Sequence, residues 1–175
     1  MRQFVIVIIT SIVLFILIKK ISIRMSPLDS FEKAIEKVKR LYGLSIAKNI
    51  ERIYRLETDN FKSKQFLLTY SAGMEDHSKD NSFPYGWHIG GFWNTSEGRK
   101  YAPIGTEIVK ENEGLLKDGG KYKRFLKFKN VESAVMTLAE FLRIYGNNAG
   151  RWFSTEPDKQ TAYNNTLLKI NTLFT

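Results

Sequence analysis

An apolar run near the N-terminus constrains this chain more than any other feature of its 175 residues. Residues 4–18 read FVIVIITSIVLFILI, and Lys19 and Lys20 follow directly. A membrane-spanning helix needs about 20 predominantly apolar residues, and lysines at its end can extend their ammonium groups to the lipid interface. The run is not followed by the small-residue cleavage pattern that ends a secretory signal. The sequence therefore predicts one transmembrane helix, an uncleaved anchor over residues 1–24.

The remaining residues, 25–175, number about 150, which is a common size for a single domain. The chain contains no cysteine, which excludes disulfides, iron–sulfur clusters and zinc sites built on thiolates. His77 and His88 show no metal-binding spacing, so we expect neither a metal nor another cofactor. The formal net charge of +9 would suit nucleic acid, anionic lipid or anionic cell wall, and the charge alone does not choose among them.

Apolar periodicity divides this domain into helical ends and an irregular middle. Residues 71–121 are rich in glycine and aromatic residues and are too long for a plain connection, so we expect a functional loop region there. The sequence predicts a mainly α (α+β) fold, in which helices flank a glycine- and aromatic-rich loop or short hairpin, preceded by the transmembrane helix. The helices are predicted to begin near Pro27, Ser45, Lys64, Asn130 and Thr155.

Glu57 is the residue whose position suggests chemistry. It ends the second predicted helix, in register with the apolar residues Ile50 and Ile53. A carboxyl group on an apolar helix face loses hydration, which disfavours its charged form and raises its pKa. A carboxyl that keeps its proton near neutral pH can act as the general acid in glycoside cleavage. The alternative is a structural glutamate that pairs with Arg55 or Lys62 at the helix end.

The residues around Glu57 resemble a known family. The segment YRLETDNF at residues 54–61, followed by Ser63, looks like the E-S/T-x-x-F/W-x-S segment of glucosaminidases and soluble lytic transglycosylases. In those families the glutamate ends a helix and is the catalytic acid. The loop that usually follows, N-N-x-F-G-I-K, is matched poorly by PYGWHIGGF at residues 84–92.

Two later blocks extend the resemblance in the same order. KYKRF at residues 121–125, leading to VESAV at residues 131–135, is similar to the aromatic strand and following helix of glucosaminidases. GRWFSTE at residues 150–156, with Tyr163 after it, looks like the closing R-Y-A-T-D segment. The resemblance implies a lysozyme-like glucosaminidase domain over residues 25–175.

The resemblance also implies a reaction. Glu57 would protonate the leaving oxygen of a β-1,4 bond between N-acetylmuramic acid and N-acetylglucosamine in peptidoglycan, and the order of the two sugars stays open. The second catalytic group is either the acetamido group of the substrate or a carboxylate, and a lytic transglycosylase would need no water. The candidate carboxylates are Asp59, Glu75, Asp76 and Asp80.

Aromatic side chains in and after the central region suit sugar binding, because flat rings pack on the apolar faces of pyranoses. Core packing is the alternative explanation for these rings. The predicted glycan-binding residues are Trp87, Trp93, Tyr122, Trp152, Phe153 and Tyr163.

Several alternatives remain open from the sequence. The same fold could bind peptidoglycan without cutting it, or the enzyme could be a lytic transglycosylase or a phage-type endolysin. A membrane-tethered nucleic-acid binder would fit the pI of about 9.6, but the basic residues are spread out, so we expect no nucleic acid. The oligomeric state is not determined.

The expected location is a membrane-anchored domain that faces the cell wall or periplasm. The charges around the apolar run conflict with it, because Lys19, Lys20 and Arg24 follow the run whereas Arg2 precedes it. Basic flanks favour the cytoplasmic side of a membrane, so the orientation stays open.

Overall fold

The structure is a computed structural model that describes residues 26–76, 92–93, 95–110 and 122–174. Helices make up most of these residues. These ranges contain seven helices and one antiparallel two-stranded sheet, so the described body is mostly helical, as the periodicity predicts. The helices are α1 (Pro27–Tyr42), α2 (Leu44–Glu57), α3 (Lys64–Thr69), α4 (Ser96–Lys100), α5 (Val131–Ile144), α6 (Gly150–Phe153) and α7 (Pro157–Leu167). The strands are β1 (Gly105–Lys110) and β2 (Tyr122–Lys127).

The predicted transmembrane helix requires a correction. Within the described ranges, no helix is long and apolar enough to cross a membrane. The longest of them, α1, has 16 residues and is amphipathic, since it buries Phe31 and Val38 and exposes charged side chains on its other face. The predicted anchor over residues 1–24 lies outside the described residues. The anchor, the membrane contact through residues 4–18 and the membrane location are therefore not carried further.

Local chemistry sets the bounds of the first two helices. The Ser26 hydroxyl accepts a hydrogen bond from the Asp29 amide (3.0 Å), and the Asp29 carboxylate accepts one from the Ser26 amide (3.2 Å), which forms a capping box. Pro27 occupies the first turn, where its missing N–H costs nothing. Gly43 ends α1 at φ +90°, a conformation that side chains disfavour, and α2 begins at the next residue.

The core forms around α5, which is buried along most of its length. Its residues from Ala134 to Leu142 are all buried, so this helix has no solvent face over these turns. It packs against α1, α2 and α4. The short α6 and the longer α7 pack against each other, and α7 also contacts α2, which brings the C-terminal part of the chain to the end of α2.

The sheet lies beside α3. Its two strands are antiparallel, with Gly105 opposite Lys127. β1 lies within residues 71–121, where the sequence predicts a loop or short hairpin, and β2 follows directly after that region. The other edge of β2 pairs with the segment that follows α3: the Leu126 amide donates to the Met74 carbonyl (2.8 Å), and the Asp76 amide donates to the Arg124 carbonyl (2.7 Å). This pairing fixes the segment that follows α3 against the sheet, close to the end of α2.

Candidate functional site

Glu57 is the last residue of α2, and a tight turn follows it. The buried hydroxyl of Thr58 accepts a hydrogen bond from the Phe61 amide (2.9 Å) and so closes the turn. Asp59, Asn60 and Phe61 have φ values of +47°, +50° and +70°, a run of left-handed residues that cannot continue a helix. Such strained backbone persists when its surroundings hold it in place, and it is concentrated at functional sites.

Aromatic packing holds this turn against the core. The ring of Phe61 lies 4.6 Å from the ring of Phe31 in α1 and 5.7 Å from that of Phe66 in α3, measured between centroids. Tyr54, one turn before Thr58 in α2, is buried in the same cluster. The turn that follows α2 is therefore held against α1 and α3.

Both carboxylate oxygens of Glu57 have neighbours from distant parts of the chain. The Tyr163 hydroxyl in α7 donates a hydrogen bond to Oε1 at 2.7 Å. Gly73 lies beside the other oxygen, so close that an added Cβ would sit 3.1 Å from Oε2. The backbone at Gly73 has φ +68°, which also favours glycine. The carboxyl group is therefore enclosed between α7 and the segment after α3.

The environment of Glu57 raises its pKa above the ordinary value for a glutamate. Burial is the main cause, since it penalises the charged form. The hydrogen bond from Tyr163 opposes this effect and lowers the pKa, whereas the negative charge of Glu75 raises it further. The net direction favours the protonated carboxyl, which is the form that a general acid needs.

Tyr163 connects Glu57 to an exposed aromatic ring. Its own ring is buried and stacks in parallel on Phe153, with 4.9 Å between centroids and an angle of 4° between the planes. Burial raises the pKa of Tyr163, and the charge of Glu57 raises it further, so the hydroxyl keeps the proton that it donates. Phe153 is 57% exposed, so the side of its ring that faces away from Tyr163 can meet a ligand.

A buried amide holds the segment that carries Gly73. Nε2 of Gln65 donates to the hydroxyls of Thr69 and Ser71 (2.6 and 2.8 Å) and to the Ser71 carbonyl (3.1 Å). Oε1 of Gln65 accepts a hydrogen bond from the Gly73 amide at 3.3 Å. Gln65 and Gly73 were not predicted from the sequence. Their one local signal is a short helix followed by a glycine, and this pattern does not indicate a contact with Glu57.

The candidate carboxylates lie in different environments. Asp59 is exposed in the turn after α2, and Asp80 lies outside the described residues. Asp76 is buried and paired with Arg124 at 2.9 Å, so it is committed to the sheet. Glu75 pairs with Lys123 at 2.8 Å, and it is the described candidate whose charge acts on Glu57.

The predicted sugar-binding aromatics divide into separate groups. Phe153 and Tyr163 come together beside Glu57. Trp93 and Trp152 are each only 3% exposed and pack in the core, against Phe92 and Phe141 respectively, so neither indole presents a face to a glycan. This corrects the binding role predicted for the two tryptophans, since core packing explains them.

Two of the predicted aromatics and the histidines cannot be placed at the site. Tyr122 is the first residue of β2, and Trp87, His77 and His88 lie outside the described residues. In the part of the chain that the structure describes, no group of three or more acidic or histidine side chains is arranged to hold a metal ion.

Comparison with known proteins gives no relative from which a function could be transferred. No protein-family model, no curated protein and no solved structure matches this chain. The resemblance to glucosaminidases therefore stays a prediction from the motif blocks, and the functional conclusion depends on the geometry around Glu57.

Proposed function

We propose that this chain is a peptidoglycan-cleaving glycosidase of the N-acetylglucosaminidase or muramidase type, with Glu57 as its general acid. The observation that carries the proposal is the environment of one carboxyl group. Burial raises the pKa of Glu57, the Tyr163 hydroxyl donates a hydrogen bond to one carboxylate oxygen, and Gly73 lies beside the other. A structural glutamate at a helix end would instead be expected to pair with a cation, and the Arg55 side chain pairs with Glu51 at 2.7 Å.

The raised pKa of Glu57 suits this carboxyl to the role of an acid. In glycoside cleavage, the acid transfers its proton to the oxygen between two sugars while the bond from that oxygen to C1 breaks. Because Oε1 accepts the hydrogen bond from Tyr163, the proton of Glu57 is best carried on Oε2. After transfer, the same tyrosine bond stabilises the carboxylate that remains.

The exposed ring of Phe153 supports a sugar substrate. A flat ring with one face free packs on the apolar C–H face of a pyranose through dispersion and the removal of water. Phe153 stacks directly on Tyr163, which contacts Glu57, so a sugar on this ring would lie close to the acid. The site therefore combines a reacting group, Glu57, with a binding surface, the exposed ring of Phe153, and Tyr163 connects the two.

Digestion of purified peptidoglycan by the full chain tests the proposal. We expect wild type to release glycan fragments, and Glu57→Gln to lose about 10²–10⁴-fold in rate, which is the contribution of a general acid. Glu32→Gln is the control, because Glu32 is exposed on α1 and should leave the rate unchanged.

Mass spectrometry of the fragments identifies the reaction. Reducing ends would indicate hydrolysis and name the bond, whereas anhydro ends would indicate a lytic transglycosylase. If wild type binds several wall types without releasing fragments, the glycosidase proposal fails in favour of a non-catalytic binding module.

A further inference from the structure

Two adjacent asparagines occupy the turn between α5 and α6. Asn147 has φ +60°, a left-handed conformation that asparagine tolerates, and its amide donates a hydrogen bond to the Leu142 carbonyl at 2.6 Å. Gly146 before it has open space where a Cβ would lie. The long-range contacts of this turn are made by the side chains of Asn147 and Asn148, and they reach two different helices.

Asn147 joins the turn to α2, the helix that ends at Glu57. Its Oδ1 and its backbone carbonyl accept hydrogen bonds from Nδ2 of Asn49, at 3.0 and 3.2 Å. Its Nδ2 donates to the hydroxyl of Ser45 at 2.8 Å. The turn is therefore fixed to the helix that carries the proposed acid.

Asn148 joins the same turn to α7, the helix that carries Tyr163. Its Nδ2 donates to Oε1 of Gln160 at 2.8 Å, and its Oδ1 accepts from Nδ2 of Asn164 at 3.0 Å. The same oxygen accepts from the Gly150 amide at 3.1 Å, which orients the Asn148 side chain. Gln160 and Asn164 lie one helical turn apart on one face of α7, and Tyr163 lies between them in the sequence. Asn148 therefore holds the part of α7 from which Tyr163 extends.

Gly150 brings the backbone of α6 against α7 at the same place. A Cβ added at Gly150 would lie 2.6 Å from the Cβ and from the carbonyl oxygen of Gln160. Real Cβ atoms do not approach other atoms this closely, so the contact requires glycine. The three hydrogen bonds of Asn148 therefore act across a contact in which α7 has no room to move closer to α6.

Apolar packing alone would leave the position of α7 loosely defined. Of the 11 residues of α7, Tyr163 and Leu167 are buried. Apolar contact is not directional, whereas a hydrogen bond weakens steeply when its distance or angle changes. The bond from Tyr163 to Glu57 is 2.7 Å long, so a shift of α7 by about an ångström would break it.

We propose that Asn148 is a positioning residue for the acid. Its side-chain amide fixes the place of Tyr163 on α7, and Asn147 fixes the same turn to α2. The Tyr163 hydroxyl is thereby held at bonding distance from Oε1 of Glu57. The effect of Asn148 on catalysis rests on the proposed glycosidase function, whereas its effect on the Glu57 carboxyl does not.

The Glu57 carboxyl reports directly on this role. We expect the pKa of Glu57, followed through its carboxyl carbon by NMR in the full chain, to rise in Asn148→Ala, because the Tyr163 bond that lowers it is lost. Asn164→Ala removes one of the three hydrogen bonds and should raise the pKa by less, whereas Asn165→Ala, at the exposed neighbour, should leave it unchanged. If Asn148→Ala does not fold, the comparison of these two variants decides, and equal pKa values in them overturn the proposal.

The same measurement in Tyr163→Phe separates positioning from general structural damage. Asn148→Ala should change the pKa of Glu57 when Tyr163 is present and leave it unchanged in Tyr163→Phe, because the hydroxyl that Asn148 positions is then absent. A merely structural role would change the pKa in both backgrounds. An equal change in both, or an unchanged pKa in Asn148→Ala alone, overturns the proposal.

Turnover of soluble glycan strands gives the second readout. We expect Asn148→Ala to lower kcat roughly tenfold with KM within about twofold of wild type, because a misplaced catalytic group costs rate more than binding. Asn165→Ala should keep the wild-type rate. If the pKa of Glu57 rises in Asn148→Ala and wild type cuts no glycan, the positioning of Tyr163 is supported and it is the glycosidase function that fails. If wild type cuts glycan and Asn148→Ala keeps its kcat, the inference is overturned and the glycosidase function stands.

Discussion

The Tyr163 hydroxyl donates a 2.7 Å hydrogen bond to Oε1 of Glu57 and so joins α7 to the end of α2 across 106 positions of sequence. The bond does two things at once. It orients the carboxyl group, and it moderates the rise in pKa that burial causes. Burial therefore favours the protonated form of Glu57, whereas the hydrogen bond stabilises its carboxylate form.

Replacing Tyr163 by phenylalanine should raise the pKa of Glu57. The hydrogen bond lowers this pKa in the native protein, so its loss leaves burial and the Glu75 charge unopposed. NMR titration of the Glu57 carboxyl carbon measures the change. Tyr145→Phe removes a hydroxyl outside the site and should leave the titration as it is. A lower pKa in Tyr163→Phe would contradict the assigned direction.

The stability of the protein should depend on pH through Glu57. The pKa of Glu57 is higher in the folded than in the unfolded protein. The stabilisation of the fold by Glu57 is therefore fully present below the unfolded-state pKa and is lost as the pH rises through the folded-state pKa. Glu57→Gln cannot ionise, so it should gain stability relative to wild type from acidic to neutral pH. Urea denaturation at about pH 4 and pH 8 checks this. If the difference in the free energy of unfolding between Glu57→Gln and wild type is the same at both pH values, Glu57 does not cause the pH dependence.

Phe153→Ala should weaken substrate binding more than it weakens the fold. Phe153 is largely exposed, so the loss of folding stability should stay near the value of one stacked aromatic pair, about 0.5–1.5 kcal/mol. We expect KM for glycan strands to rise roughly tenfold, equivalent to about 1.4 kcal/mol, with kcat little changed. Phe153→Trp should retain binding. Leu168→Ala, a control at another exposed apolar residue, should leave KM unaltered, and an equal rise there would remove the special role of Phe153.

Gly73→Ala should disturb the acid as well as the backbone. Its Cβ would lie 3.1 Å from Oε2 of Glu57, at a position whose φ is +68°. Gly146 has a similar φ of +64° but open space around it, so Gly146→Ala carries the backbone cost without the contact. Both variants should lose about 1 kcal/mol of stability. Activity and the Glu57 titration should change in Gly73→Ala alone, and the same change in both variants would reduce the effect to backbone strain.

Much of the helical structure follows from local sequence. The capping box at Ser26, the stop at Gly43 and the Asn130 side chain that accepts from the Ser133 amide (2.8 Å) all act within a few residues. The placement of Glu57 at the end of an amphipathic helix is of the same kind. These features could be predicted because helix starts, stops and faces depend on neighbours one turn away.

The aromatic residues show where such prediction fails. Trp152 and Phe153 are adjacent in sequence, yet the first is buried in the core and the second is exposed beside Tyr163. Composition and spacing cannot separate them, because burial depends on which distant helix covers each ring. For the same reason, the sequence predicts a sugar-binding role for Trp93, whereas the structure packs this ring in the core.

The sequence by itself determined the longer helices, the mostly helical character of the body and the position of Glu57 at the end of an amphipathic helix. The tertiary structure alone decided what surrounds that carboxyl: Tyr163 on one oxygen, Gly73 on the other and the charge of Glu75 nearby. A pKa depends on burial and on charges within a few ångströms, whatever their separation along the chain. Short-range sequence patterns determine where a helix ends, and long-range packing determines what its last side chain can do.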